Sequence, residues 1–143
     1  MYLFDLHCDT ITRLNDGVRL EPNDRSLFVN GAQLSLLPML GEHWCQCFAI
    51  FMPDQYRGKE AVDYFEKSYR YFCDQLTCHQ AYIAQVQNSE EAERVIGQGK
   101  IAAMLTVEGG SALAGDLSRV QRLKECGVRM LTLTWNGENE LGS

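Results

Sequence analysis

Asp5-Leu6-His7-Cys8-Asp9 places two carboxylates and an imidazole at alternate positions near the start of the chain. Successive side chains of a β-strand point to opposite faces. As a strand, this stretch sets Asp5, His7 and Asp9 on one face and Phe4, Leu6 and Cys8 on the other. Two acids flanking an imidazole suit a divalent ion such as zinc. A half-buried strand with a polar solvent face alternates in the same way. Position weighs against that reading. Met1-Tyr2-Leu3-Phe4 is apolar on both faces, as in a parallel strand covered on both sides. The polar residues come only at its C-terminal end, where α/β folds carry their chemistry.

A further carboxylate falls at a comparable place. Lys100 to Val107 reads as an apolar strand that delivers Glu108-Gly109-Gly110 at its end. Met104, Thr106 and Glu108 share one face, opposite Ile101, Ala103, Leu105 and Val107. In a parallel barrel the C-terminal ends of all strands meet. Glu108 is therefore expected to reach a metal held by His7 and Asp9, with two glycines letting the backbone turn tightly beside a ligand. Taken without the first strand, a loop cap or salt bridge is the commoner role for such a glutamate.

The elements that must position these groups alternate along the chain. The first strand is expected over Tyr2 to Asp9. Residues 15–31, rich in turn formers such as Asn15-Asp16-Gly17 and Glu21-Pro22-Asn23-Asp24, read as a loop. Ser35 to Leu40 opens a short helix that stops near Gly41. Trp44 to Met52 is a strand, almost wholly apolar from Cys47 onward. A long helix follows over Gly58 to His79, with Ala61, Phe65, Tyr69, Phe72 and Leu76 as its buried stripe. Tyr82 to Gln87 is a short strand. Asn88 or Ser89 caps a Glu-rich helix that ends near Gly97-Gln98-Gly99. After the Glu108 strand, Asp116 caps a helix closing at Cys126-Gly127, and Val128 to Thr134 is another strand. Alternating strands and helices predict a parallel sheet with right-handed crossovers.

Composition narrows the function. The chain has 143 residues, enough for one domain, and 45% of them are aliphatic, aromatic or Cys, so a packed core is expected. A net charge of -6 without a basic stretch disfavours nucleic acid. No apolar run approaches the ~18 residues of a membrane span, and no signal-peptide pattern opens the chain. A soluble cytoplasmic protein is expected. The six cysteines lie mostly in apolar segments and read as small buried hydrophobes.

Together, Asp5-Leu6-His7-Cys8-Asp9, Gly31-Ala32-Gln33, Phe48-Ala49-Ile50-Phe51, Gly99-Lys100-Ile101-Ala102, Val107-Glu108-Gly109-Gly110 and Gly127 to Thr134 resemble the membrane dipeptidase (renal dipeptidase) family of zinc peptidases. The resemblance covers nearly the whole chain and implies a (β/α)₈ TIM barrel with parallel strands and two zinc ions. It implies His7 and Asp9 as ligands of the first zinc, Glu108 as the carboxylate bridging both, and Asp5 as an orienting group behind them. A metal-bound hydroxide would be the nucleophile on a dipeptide, with Glu108 and Asp9 as the catalytic carboxylates. Relatives of the mammalian enzyme carry a substrate-contacting His after the Leu-Thr-Leu-Thr run, where this chain has Trp135. Indole cannot accept a proton. Trp135 is expected to wall an apolar pocket, or Asn136 to take the polar contact.

The family's two later histidine ligands have no counterpart here. His43 precedes a strand and His79 ends a helix, both away from the expected site. Four or five strands are expected where a closed barrel needs eight. Residues 1–143 thus resemble the N-terminal half of such a barrel, completed by a missing C-terminal half or a second chain. Alone they are expected not to hydrolyse dipeptides. Two rival readings stand beside this one: another barrel metal-dependent amidohydrolase, and a non-catalytic half-barrel that binds a partner chain.

Overall fold

The structure, a computed structural model, describes residues 2–17 and 25–142. The expected turn at Glu21-Pro22-Asn23-Asp24 lies outside the described residues. Five strands form one parallel sheet: β1 (Tyr2–Asp5), β2 (His43–Phe51), β3 (Ile83–Val86), β4 (Ile101–Glu108) and β5 (Val128–Thr132). The helices are α1 (Thr10–Asp16), α2 (Gly58–Cys78), α3 (Ser89–Gly97) and α4 (Arg119–Glu125).

The order is β1-β2-β4, with β3 and β5 sharing the far edge of β4. β3 pairs with its first half, Ile101 to Met104, and β5 with its second half, Leu105 to Glu108. All pairings are parallel, so the C-terminal ends of β1, β2, β4 and β5 open on one side.

The two faces of the sheet have different cover. Gln46, Phe48 and Ile50 of β2 align with Ala103, Leu105 and Val107 of β4. Phe48, Ile50, Leu105 and Val107 share a buried core with Ala61, Phe65 and Phe72 of α2. Each such aromatic, fully buried, contributes roughly 1.5–3 kcal/mol through apolar transfer. In the expected stripe of α2, Tyr69 and Leu76 are only half-buried, while Tyr64 and Ser68 join the buried side. The opposite face carries Met104, Thr106 and Glu108. Its N-terminal end is covered by α3, whose Ala92, Val95 and Ile96 pack on Cys45, Val86 and Ala102. Farther along this face the smaller side chains Cys47, Ala49 and Thr106 are buried. Tyr2, Phe4 and Met130 are exposed there, so the expectation of a first strand covered on both sides is corrected: β1 lies at the sheet edge with one face bare.

Local chemistry accounts for most boundaries. Asn88 caps α3, its Oδ1 accepting from the Glu91 amide at 2.8 Å, while Glu91 Oε2 reaches back to accept from the Gln87 amide at 2.8 Å. Other expectations are corrected. Residues 10–16 form α1, where the sequence places the start of a loop at 15 and 16 and assigns 10–14 no element, and Gly17 closes it with φ +64°, a left-handed stop suited to glycine. The short helix after Ser35 is a single 3₁₀ turn, Leu37–Met39. Asp116 does not cap α4. Ser118 holds the cap position, and the Asp116 carboxylate accepts from the Ser118 amide at 2.8 Å. The last strand stops at Thr132. All six cysteines are free.

Candidate metal centre

The Asp5–Asp9 stretch is not one continuous strand. β1 ends at Asp5, which aligns with Gln46 of β2. Sheet pairing resumes at Cys8, whose amide donates to Cys47 O at 3.0 Å and whose carbonyl accepts from the Ala49 amide at 2.9 Å, setting Cys8 opposite Phe48. Three steps on the first chain match two on the second, a one-residue bulge. The extra residue reverses the alternation. Asp5 and Cys8 fall on the helix-covered side, and Asp9 falls on the Glu108 side.

The expectation that Asp5 shares a face with His7 and Asp9 is therefore corrected. Asp5 Oδ1 accepts from the His7 amide at 3.1 Å, bracing the bulge from behind. It lines a separate hollow with Gln33, Ser35 and Trp44. Cys8 is buried, and burial pushes its thiol up to about 12. It remains a protonated core residue.

His7, Asp9 and Glu108 converge. His7 Nε2 lies 3.2 Å from Asp9 Oδ1 and 3.3 Å from Glu108 Oε2. One ligand atom from each of the three falls within 4.8 Å of the others. Glu108 is held from both sides: its carbonyl accepts from the Met52 amide at 2.8 Å, and the next amide, of Gly109, donates to Thr132 O at 3.1 Å. The following glycines are required sterically. Gly109 has φ +113°, and a Cβ on Gly110 would stand 2.5 Å from Leu133 O. Burial first, then the Asp9 charge, pushes the Glu108 carboxyl above its usual range, partly offset by His7.

Asp9 occupies the N-cap position of α1, where an aspartate ordinarily accepts from the helix amides. Here its side chain makes no capping bond. Thr12 Oγ1 and the Arg13 amide hold only its carbonyl, at 3.0 and 3.1 Å. Asp9 Oδ1 is buried and has no hydrogen-bond partner despite its nearness to His7. A buried carboxylate oxygen left this way costs free energy unless something binds it. The donor set fits a divalent cation. Imidazole nitrogen and carboxylate oxygens bind zinc at about 2.0–2.2 Å, which puts tetrahedral ligand atoms roughly 3.4 Å apart. The two distances from His7 match that spacing.

These residues line a cleft of about 390 Å³ with Thr12, Arg13, Asp16, Gln33, Phe51, Pro53 and Trp135. Trp135 meets Phe51 edge-to-face at 5.0 Å between ring centroids and forms an apolar wall. Asn136 is exposed and is not among the residues that line the cleft. His43 stacks on Tyr2 at the opposite end of the sheet, and His79 meets Ser26 beyond the end of α2. The sequence reading passed over Arg13 and Thr12. The signal available was their helical spacing from Asp9, hidden while residues 10–16 were not read as a helix.

Parallel strands opening on a mouth where an imidazole meets two carboxylates define a class: α/β-barrel proteins with a candidate metal centre at the C-terminal ends of their strands. The model of the membrane dipeptidase family, peptidase family M19, matches residues 1–143, and the chain belongs to that family. Among solved structures, the chain is similar to the dipeptidase AC, a metallopeptidase of family M19, at TM-score 0.83 and 19% identity, covering 97% of this chain and 44% of that one. It is similar to a metallopeptidase from Rhodobacter sphaeroides liganded with a phosphinate mimic of L-Ala-D-Ala, at 0.81 and 18%, covering 97% and 47%. The probable dipeptidase PvdM from Pseudomonas aeruginosa is similar at 0.77 and 20%, covering 97% and 36%. The chain thus spans less than half the length of these relatives. Its fold is the N-terminal half of their (β/α)₈ barrel.

Proposed function

We propose that the protein carrying this chain is a zinc-dependent dipeptidase, and that these residues supply the first part of its binuclear centre. The observation that carries the proposal is the Asp9 carboxylate, turned from its helix into a cleft where His7 and Glu108 meet it. His7 and Asp9 would hold the first zinc, with Glu108 bridging to the second. When bound, such ions lower the pKa of water and polarise a carbonyl. The chain's own residues do the rest. Asp5 fixes the bulge that aims His7, the glycines after Glu108 let the backbone pass close, and Phe51 with Trp135 supplies one apolar wall. The remaining donors would come from the other half of the barrel or from a second chain, which would also cover the bare face of Tyr2, Phe4 and Met130.

The test is turnover by the protein that carries this chain. Chelation is expected to abolish hydrolysis of L-Ala-D-Ala and zinc to restore it, while residues 1–143 expressed alone remain inactive. Hydrolysis of N-acyl amino acids in preference to dipeptides would move the assignment to another amidohydrolase. No metal-dependent turnover of either would favour a non-catalytic half-barrel.

A further inference from the structure

Beyond β5 the chain turns back as a strap across the end of the neighbouring strand. β4 lies between β2 and β5, yet residues 133–142 pass over its end to reach the start of α2. Arg57 Nη2 donates to Glu138 O, and Glu140 Oε1 accepts from the Gly58 amide at 3.2 Å. Gly137 lies so close to Asp54 that a Cβ there would stand 2.6 Å from Asp54 Cγ. The crossing itself is tight, since a Cβ on Gly110 would stand 2.4 Å from Leu141 Cδ1. We propose that Glu140 is a positioning residue: by fastening this strap to α2 it holds Trp135 as the cleft wall, and so sets how tightly the cleft takes an apolar substrate side chain. The proposal deepens the dipeptidase reading and rests on it.

The fastening has a physical reason. Arg57 holds the N-cap position of α2 and makes no capping bond with its side chain, so the first amides lack their usual local partner. Glu140 supplies one from 82 residues further along the chain. A carboxylate is the group that the positive end of a 21-residue helix favours. The tie reaches Trp135 through the strap's own bonds. Leu133 O accepts from the Gly110 amide at 3.0 Å and from Asn139 Nδ2 at 2.8 Å. Residues 133–139 are thereby closed into a ring anchored at the end of β4. Asn139 Oδ1 accepts in turn from the Leu141 amide at 2.8 Å, which links the ring to the Glu140 segment. Trp135 belongs to the ring. It is 49% exposed and meets Phe51 only edge-to-face, so its own burial does little to hold it. Its place is set by a backbone tied at both ends, at Gly110 and at α2.

The experiment compares L-Leu-L-Leu with Gly-Gly, which has no side chain to meet the wall, in the whole zinc-loaded protein that carries this chain. Glu140→Ala is expected to raise KM for L-Leu-L-Leu about 10-fold, within the worth of burying a leucine side chain. It should leave kcat and the KM for Gly-Gly nearly unchanged. Glu140→Gln keeps an acceptor for the Gly58 amide and should recover part of the loss. Trp135→Ala should itself raise KM for L-Leu-L-Leu, and adding Glu140→Ala to it should raise KM no further. Fluorine NMR of protein labelled with 5-fluorotryptophan reads the wall without turnover, the Trp135 resonance being assigned by its loss in Trp135→Phe. That resonance should move toward its solvent-exposed position in Glu140→Ala and partly return in Glu140→Gln. Absent turnover by the wild type would defeat the dipeptidase reading, while the resonance still judges whether Glu140 holds Trp135. The proposal is overturned if Glu140→Ala leaves the resonance in place, if it weakens both dipeptides alike, or if the Glu140 and Trp135 effects simply add. Glu140→Gln, with unchanged circular dichroism, serves if the alanine variant fails to fold.

Discussion

At Asp9 a cap is forfeited. Aspartate at a helix N-terminus normally stabilises the helix by about 1 kcal/mol through its side chain, and this one turns its carboxylate to His7 and Glu108 instead. Residue types and strand-end positions made all three legible in the sequence. The bulge between Asp5 and Cys8 was not legible, because no Gly or Pro marks it and alternation assumes an unbroken strand. Hence Asp5 was read onto the wrong face. The electrostatics yield a prediction. Glu108 has a folded pKa above its unfolded value, so it holds its proton more tightly when folded. The stability of the metal-free protein then falls as pH rises from about 4.3 through the raised value. Glu108→Gln is expected to raise the Tm of metal-free protein at pH 7 and to abolish the rise that zinc produces in the wild type. Thermal denaturation with and without zinc checks both.

Among the elements, β2, β4, α2 and α3 were legible to within a residue or two, since each carries a long, consistent apolar pattern or a strong cap. α1 was not. Thr10-Ile11-Thr12 holds three β-branched residues with modest helix propensity, and Asn15-Asp16-Gly17 signals a turn that is in fact the helix stop. Tertiary ties decide its place: Asp16 on Tyr64, and Asn15 Nδ2 on Ser68 Oγ at 3.3 Å, both on α2. α4 is tied to α2 by Arg122, whose Nε and Nη2 donate to the two Glu66 carboxylate oxygens at 3.0 and 2.7 Å. The Arg122 hydrogen bonds hold the Glu66 carboxyl below its usual range despite partial burial. A depressed folded pKa gives stability that is present above about pH 4.3 and lost as pH falls through the folded value. Being partly exposed, the pair is expected to contribute about 0.5–1 kcal/mol. A double-mutant cycle of Glu66→Gln and Arg122→Gln, by denaturant unfolding, should show that coupling at pH 7 and lose it near pH 3.

On the scale of the molecule, parallel alternation and a half-barrel strand count were legible, but the strand order was not. Nothing local says that β3 and β5 share one edge of β4, or that α3 crosses onto the Glu108 face, because those pairings join distant segments. The result is a sheet with one face covered by α2 and the other covered by α3 at its N-terminal end, whose mouth gathers three metal-type donors. The account's central claim is that this half of the barrel contributes those donors to a metal centre in the whole protein. Anomalous diffraction at the zinc edge, from crystals of the protein carrying this chain, tests it most directly. The result expected is a zinc peak about 2.0–2.2 Å from His7 Nε2 and from a carboxylate oxygen of Asp9 and of Glu108. A fully zinc-loaded crystal whose peaks lie away from all three residues would contradict it.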